Sequence, residues 1–426
     1  MSIADIYVET LKDKKVAFVG MGVANTPCAE FLAKKGVDVY ACDRRDRDYI
    51  GKETCDRLES FGVKFSLGDN YLDILPQMDI VFRSHGILPF QNPWIGECIE
   101  RGQIVTTEME VFFKYCPCKI FAVTGSNGKT TTTTLIAKML EAAGNKVYLG
   151  GNIGKSYAYQ VATEHFDYYV LEISSFQLET IDQFRPKVSA ILNITEDHLN
   201  RHHTMEEYIR VKELITRNQG PEDVCVLNYE DEVLRKFGEN IVPKVVYFSS
   251  LRKLDQGIYL DGDQIILKTE KEEIPIVKTG ELKILGRHNH ENVMAAAAMA
   301  YYAGVSVESI HKSVCEFVAV PHRIEYVTEK NGVAYYNDSK GTNPDAAIKG
   351  IQAMNRPTLL IGGGYDKESS YDEWIQSFDG KVRYLVLIGQ TKEKIKAAAE
   401  RLGFTDIILC EDLKEAVQKF AVPHFQ

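Results

Sequence analysis

The chain has 426 residues and a formal net charge of −10, with 45% hydrophobic and 26% charged residues. That length exceeds one compact core and suggests about three domains of roughly 150 residues each; the composition excludes wholesale disorder, and the acidic balance argues against a nucleic-acid partner, which needs clustered Lys and Arg. Nine cysteines, scattered from Cys28 to Cys410, lack the spacing of a disulfide framework, and Cys116-Pro117-Cys118 is not a Cys-x-x-Cys pair, so reduced and mostly buried thiols are expected.

At the N-terminus, Met1-Ser2-Ile3-Ala4-Asp5 has neither a basic nor an apolar leader pattern. No window reaches about 18 uninterrupted apolar residues, so a cytoplasmic protein without a membrane partner is expected. Short apolar, β-rich runs at residues 15–20, 37–43, 119–124, 168–173, 188–194, 358–361 and 384–389 alternate with helical patterns. That alternation predicts an α/β fold of parallel sheets with crossover helices. Two stretches break it as hairpins: 257–268, turning at Asp261-Gly262-Asp263, and 323–338, turning at Asn331-Gly332. Turn clusters and the start of each new strand–helix series place the domains at 1–110, 111–320 and 321–426.

After the first strand, Gly20-Met21-Gly22-Val23-Ala24-Asn25 begins a dinucleotide-like turn, and Asp43 ends the next strand about twenty residues on, as a ribose-binding carboxylate would. The third glycine of that fingerprint is missing. The strongest motif is Ala122-Val123-Thr124-Gly125-Ser126-Asn127-Gly128-Lys129-Thr130-Thr131, between a β-run and an amphipathic helix. Glycines let backbone N–H groups approach phosphates, the helix N-terminus adds partial positive charge, and a lysine neutralises phosphate oxygens. Lys129 and Thr130 therefore read as phosphate and Mg²⁺ contacts. The loop alone does not separate a kinase, a hydrolase and a ligase.

Further along, Glu172 stands where the run 168–173 gives way to Ser174-Ser175-Phe176-Gln177-Leu178-Glu179, a position that suits a metal ligand or a strand-end carboxylate bonded to backbone. Asn193-Ile194-Thr195-Glu196-Asp197-His198 ends the next strand, with His198 either a ligand or a hydrogen-bonded core histidine. Lys212 lies on a helical run, where pattern alone implies a solvated face. Asn289 and Asn292 share a face at a helix start, as ligand contacts or as early-turn bonds.

Taken in order, Thr-Gly-Ser-Asn-Gly-Lys-Thr-Thr, Glu-Ile-Ser-Ser-Phe-Gln-Leu-Glu, Asn-Ile-Thr-Glu-Asp-His-Leu, His-Asn-x-x-Asn, Pro-His-Arg and Asn-Asp-Ser-Lys-Gly-Thr-Asn resemble the Mur ligase family over most of the chain. Gly151-Asn152-Ile153-Gly154, Ser174-Ser175-Phe176-Gln177 and Asn337-Asp338-Ser339-Lys340-Gly341-Thr342-Asn343 look like the member that adds D-glutamate. The resemblance implies three domains: an N-terminal Rossmann-like UDP-binding domain, a central P-loop ATPase and a C-terminal Rossmann-like domain for the amino acid. It also implies ATP-dependent amide formation through an acyl phosphate, with UDP-N-acetylmuramoyl-L-alanine and D-glutamate as substrates, in a monomer. A folylpolyglutamate-type relative, another Mur ligase or a catalytically impaired nucleotide-binding homologue are the alternatives.

Residue by residue, the likeness assigns ATP to Gly125, Ser126, Asn127, Gly128, Lys129, Thr130, Thr131, Asn289, Arg323 and Asp338. It assigns the uridine substrate to Gly22, Val23, Asp43, Arg44, Gly86, Asn152, Ser174, Gln177 and His198. D-glutamate falls to Lys340, Thr342 and Lys367. One Mg²⁺ falls to Thr130 and Glu172, a second to His198 and to Lys212 as a carbamate, and catalysis to Lys129, His198, Lys212 and Lys340. Three departures stand out. His85 occupies a position where the family commonly has proline, Asn200 replaces a common aspartate, and the chain ends at Gln426, where relatives usually continue into a strand and helix carrying a serine and a phenylalanine of the glutamate pocket. Part of that pocket is therefore expected to be absent.

Overall fold

The computed structural model describes residues 3–87, 91–116, 118–152, 165–366 and 370–420. By compactness the chain divides into two units, residues 1–276 with 293–314, and residues 277–292 with 315–426. The first unit contains two sheets.

Its first sheet is formed by β1 (Lys15–Val19), β2 (Asp38–Asp43), β3 (Lys64–Leu67), β4 (Ile80–Arg83) and β5 (Ile104–Thr106), in the order β3-β2-β1-β4-β5. Every described pairing is parallel. The run 15–20 predicted this strand because four of the five β1 residues are apolar, and Val16 to Val19 are all fully buried, as expected for a strand covered by helices on both faces. Phe18 and Phe82 stack across neighbouring strands with ring centroids 4.6 Å apart.

The second sheet has nine strands: β6 (Lys119–Thr124), β7 (Val147–Gly151), β8 (Tyr168–Glu172), β9 (Val188–Ile191), β10 (Val224–Asn228), β11 (Lys244–Ser249), β12 (Gly257–Asp261), β13 (Gln264–Lys268) and β14 (Glu273–Lys278), in the order β14-β13-β12-β11-β10-β9-β6-β8-β7. From β7 to β12 the described pairings are parallel. The predicted hairpin appears as the antiparallel pair β12 and β13, Asp261 opposite Gln264. The consequence for function lies in the adjacency β9-β6-β8-β7. Four neighbouring parallel strands open their C-terminal ends side by side, and that is where α/β sheets bind ligands.

In the second unit, β15 (Glu325–Lys330) and β16 (Val333–Asn337) form the second predicted hairpin. β17 (Thr358–Gly363), β18 (Val382–Ile388) and β19 (Ile407–Leu409) make a parallel three-stranded sheet around Trp374, Phe378, Leu385 and Ile395. Six of the nine thiols are buried. Among the described residues, no helix is long and apolar enough to cross a membrane.

Candidate functional site

β6 runs buried to Thr124 and turns through Gly125, whose φ of +140° is open to glycine alone, into Gly128 at φ +87°, which caps the helix Lys129–Ala142. A Cβ on Gly125 would stand 3.2 Å from the Leu192 backbone nitrogen, so the loop lies directly against the end of β9. Asn193 clamps it there. Its Oδ1 accepts from the Asn127 N–H at 2.8 Å, its Nδ2 donates to the Asn127 carbonyl at 3.1 Å, and its own carbonyl accepts from the Ser126 N–H at 3.0 Å. Ser126 Oγ donates to the Thr195 carbonyl at 2.8 Å and lies 3.0 Å from the buried Tyr208 hydroxyl. Lys129 folds back, Nζ donating to the carbonyls of Gly125 and Ser126 at 2.9 Å each.

On the other flank β8 delivers Glu172, only 3% exposed. Its Oε2 accepts from Thr130 Oγ1 at 2.7 Å and its Oε1 from Asn152 Nδ2 at 3.0 Å. Gly151 permits this approach: φ is +118°, and a Cβ there would fall 2.0 Å from the Glu172 carbonyl oxygen. Among the described residues no Lys or Arg forms an ion pair with this buried carboxylate. A buried carboxylate beside a hydroxyl is a hard oxygen donor set, which fits Mg²⁺.

Lys212, on the helix Met205–Glu213, is not on a solvated face. It is 2% exposed, its Nζ donates to the Gly125 carbonyl at 3.0 Å and to Thr124 Oγ1 at 3.4 Å, and it lies 4.7 Å over the Tyr208 ring. Burial, reinforced by the Lys129 charge, holds its amine well below the ordinary lysine range. His198 adopts φ +56°, a left-handed conformation that a non-glycine residue takes at a cost. Its backbone N–H donates to Asp197 Oδ1 at 2.9 Å, and its ring lies 5.0 Å from that of Phe176.

Ser174 and Gln177 are spent on a capping box: Gln177 Oε1 accepts from the Ser174 N–H and Oγ at 2.9 and 3.0 Å. Behind it, Glu179 accepts from Arg201 and lies 3.2 Å from His202 Nδ1, and His202 Nε2 lies 2.9 Å from Ser175 Oγ. With Ser175 and His202 each 3% exposed, this Ser–His–carboxylate chain is a brace between the short helices Ser175–Leu178 and Leu199–His202.

In the first sheet Asp43 accepts from the Met21 N–H at 2.7 Å and takes the Arg45 guanidinium on both oxygens at 2.8 Å. Arg44, Gly22, Val23 and Gly86 are exposed around that turn. In the second unit Arg323 and Asp338 are brought together. Asp338 Oδ1 accepts from the Ile324 N–H at 3.0 Å, and Arg323 Nη1 donates to the Lys340 carbonyl at 3.3 Å. Ile324 at φ +46° and His322 at φ +67° show that the segment is held under strain. Lys340 and Thr342 are exposed. Asn289 and Asn292 make the early-turn bonds: Asn289 Nδ2 donates to the Leu285 carbonyl at 2.7 Å and Asn292 Nδ2 to Asn289 Oδ1 at 3.1 Å. Lys367 lies outside the described residues. Asn193, Tyr208, Glu179, Arg201 and His202 were missed as site residues, although Asn193 and Glu179 stand inside quoted motifs.

Loop, lysine, hydroxyl and buried carboxylate at the ends of adjacent parallel strands define a phosphate-binding α/β protein of the P-loop kind. The sequence matches the family profiles described as Mur ligase MurD-like N-terminal domain over residues 14–107, Mur ligase middle domain over 123–300 and Mur ligase, glutamate ligase domain over 322–424. It is 46% identical over 414 residues to a UDP-N-acetylmuramoylalanine–D-glutamate ligase of Lachnoclostridium phytofermentans, covering 96% of this chain and 90% of that one. The protein of the same name from Clostridioides difficile is 42% identical over the same shares. Among solved structures, UDP-N-acetylmuramate–alanine ligase from Thermotoga maritima aligns with a TM-score of 0.59 at 20% identity, over 96% of this chain and 93% of that one. A pseudomurein peptide ligase type C from Methanothermus fervidus gives 0.56 at 20%, over 95% and 90%. The chain belongs to the Mur ligase family and carries its three domains.

Proposed function

We propose that this protein joins D-glutamate to UDP-N-acetylmuramoyl-L-alanine at the expense of ATP, in cytoplasmic peptidoglycan precursor synthesis, as a monomer with functional domains at 1–110, 111–320 and 321–426. The observation that carries the chemistry is the convergence of Lys129, Thr130, Glu172 and Lys212 on one phosphate loop. The relatives, named for this reaction and 46% and 42% identical, support the substrate assignment.

In this reading the loop N–H groups and Lys129 cradle the ATP phosphates, with Thr131 at the helix start. The substrate carboxylate attacks the γ-phosphorus, the bond to the leaving ADP oxygen breaks, and an acyl phosphate results. The D-glutamate amine then adds to the acyl carbon, gives up a proton, and phosphate departs. Thr130 and Glu172 would hold one Mg²⁺, and His198 with Lys212 a second; bound metal supplies neutralisation of the charge on the transferred phosphoryl. Lys212 is suited to carbamylation, because burial favours the uncharged amine that adds to CO₂ with loss of a proton. Asn289, Arg323 and Asp338 are assigned to ATP, and Lys340, Thr342 and Lys367 to D-glutamate. The uridine substrate is assigned to Gly22, Val23, Asp43, Arg44, Gly86, Asn152, Ser174, Gln177 and His198.

The test is phosphate release with ATP, Mg²⁺ and UDP-N-acetylmuramoyl-L-alanine, comparing D-glutamate with L-glutamate, L-alanine and meso-diaminopimelate. Release stimulated by D-glutamate alone is expected. Stimulation by another amino acid would move the chain to another ligase specificity, and no release with both nucleotides bound would make it a nucleotide-binding homologue.

A further inference from the structure

Beyond the loop and metal residues, one side chain ties the two sheets of the first unit together. Arg201, 9% exposed, lies on the helix Leu199–His202, whose N-cap is His198 in the segment that follows β9. Its guanidinium meets three different surfaces. Nε and Nη2 donate to the Glu179 carboxylate, Nη2 donates to the His85 carbonyl at 3.0 Å, and the guanidinium lies 3.9 Å over the Phe176 ring, which also neighbours the His198 and His202 rings.

The carbonyl it grips belongs to the turn that follows β4. There the Ser84 N–H donates to the Val19 carbonyl at 3.0 Å, the Ile87 N–H donates to the Ser84 carbonyl at 3.0 Å, and Arg83 Nη1 donates to the Ile87 carbonyl at 2.9 Å. The same turn presses on the Gly20 turn so closely that a Cβ on Gly20 would come within 3.0 Å of Ser84 Cβ. Thr180 Oγ1, one residue after Glu179, adds a contact to His85 Nδ1 at 3.4 Å.

We propose that Arg201 is a positioning residue that fixes the Ser84–Ile87 turn of the uridine-nucleotide site in register with the strand ends that carry the phosphate loop. This rests on the reading of Gly22 and Gly86 as uridine-substrate contacts. A guanidinium is suited to the task because its planar fork bonds a carboxylate on one edge and still presents an N–H to a carbonyl and a face to an aromatic ring. A lysine at the same position offers its three N–H donors from a single nitrogen and has no planar fork to bond the carboxylate on two N–H groups while lying flat on the ring.

The experiment compares wild type, Arg201→Lys and Arg201→Ala by calorimetric titration with UDP and, separately, with ADP, together with amide hydrogen exchange over residues 84–87. Expected for Arg201→Ala are at least tenfold weaker UDP binding, ADP binding within twofold of wild type, faster exchange at 84–87, and partial recovery of UDP binding on adding guanidinium at millimolar, non-denaturing concentration. Arg201→Lys should bind UDP severalfold more weakly than wild type. UDP affinity within twofold of wild type in Arg201→Ala would overturn the inference, as would a parallel loss of ADP affinity, which marks general unfolding. If wild type itself binds no UDP, the functional reading fails first and takes the inference with it.

Discussion

His85 offers a direct test of the site's electrostatics. Its Nε2 is buried without a hydrogen-bond partner among the described residues, and burial, together with the Arg83 and Arg201 charges, pushes its pKa down to about 4. In the unfolded chain it titrates at about 6.5. Between these values the unfolded state binds more protons, so stability is full above about pH 6.5 and is lost as the pH falls toward 4. At pH 5 the unfolded state gains about 1.5 pH units of protonation free energy that the folded state does not, or about 2 kcal/mol at 1.36 kcal/mol per unit. His85→Gln has no group titrating in that range, and its amide can still meet Thr180. Urea unfolding of both proteins at pH 7.5 and pH 5 should show the variant losing about 2 kcal/mol less than wild type. Burial also lowers the pKa values of His202, His288 and His290, so both proteins weaken in acid and only their difference reports on His85. Equal losses would refute the claim that His85 is held neutral between two arginines.

Three other perturbations probe the loop. Lys129→Ala removes the amine that donates to the Gly125 and Ser126 carbonyls, and should lower phosphate release about 10²–10³-fold; a loss under tenfold would remove Lys129 from the transfer step. Gly151→Ala drives a Cβ to 2.0 Å from the Glu172 carbonyl at a φ of +118° and should cost about 3 kcal/mol or more by chemical denaturation. A variant as stable as wild type would show that Glu172 is not held by this approach. Asn193→Ala breaks both amide bonds to Asn127 and should raise the KM for ATP about tenfold while leaving UDP affinity unchanged; an unchanged KM would mean the loop is set by its own glycines.

The sequence by itself determined the alternating α/β architecture, both hairpins and the phosphate loop. Each depends on local rules: short continuous apolar, β-rich runs, Asp-Gly and Asn-Gly turns, and glycines followed by lysine at a helix start. It also named Glu172, Thr130 and Lys212, the last only through family likeness, since helical pattern assigned Lys212 a solvated face. Tertiary structure alone decided what those residues meet. The order β9-β6-β8-β7 brings residues from four separated segments to one edge, and no local pattern encodes which strands become neighbours. Burial of Lys212 comes from the loop folding over it, and the roles of Asn193 and Arg201 come from partners 66 and 116 residues away in the chain. Hydrogen bonds at such separations carry no sequence period, because a side chain's partner is fixed by the packing of sheets and not by its neighbours along the backbone.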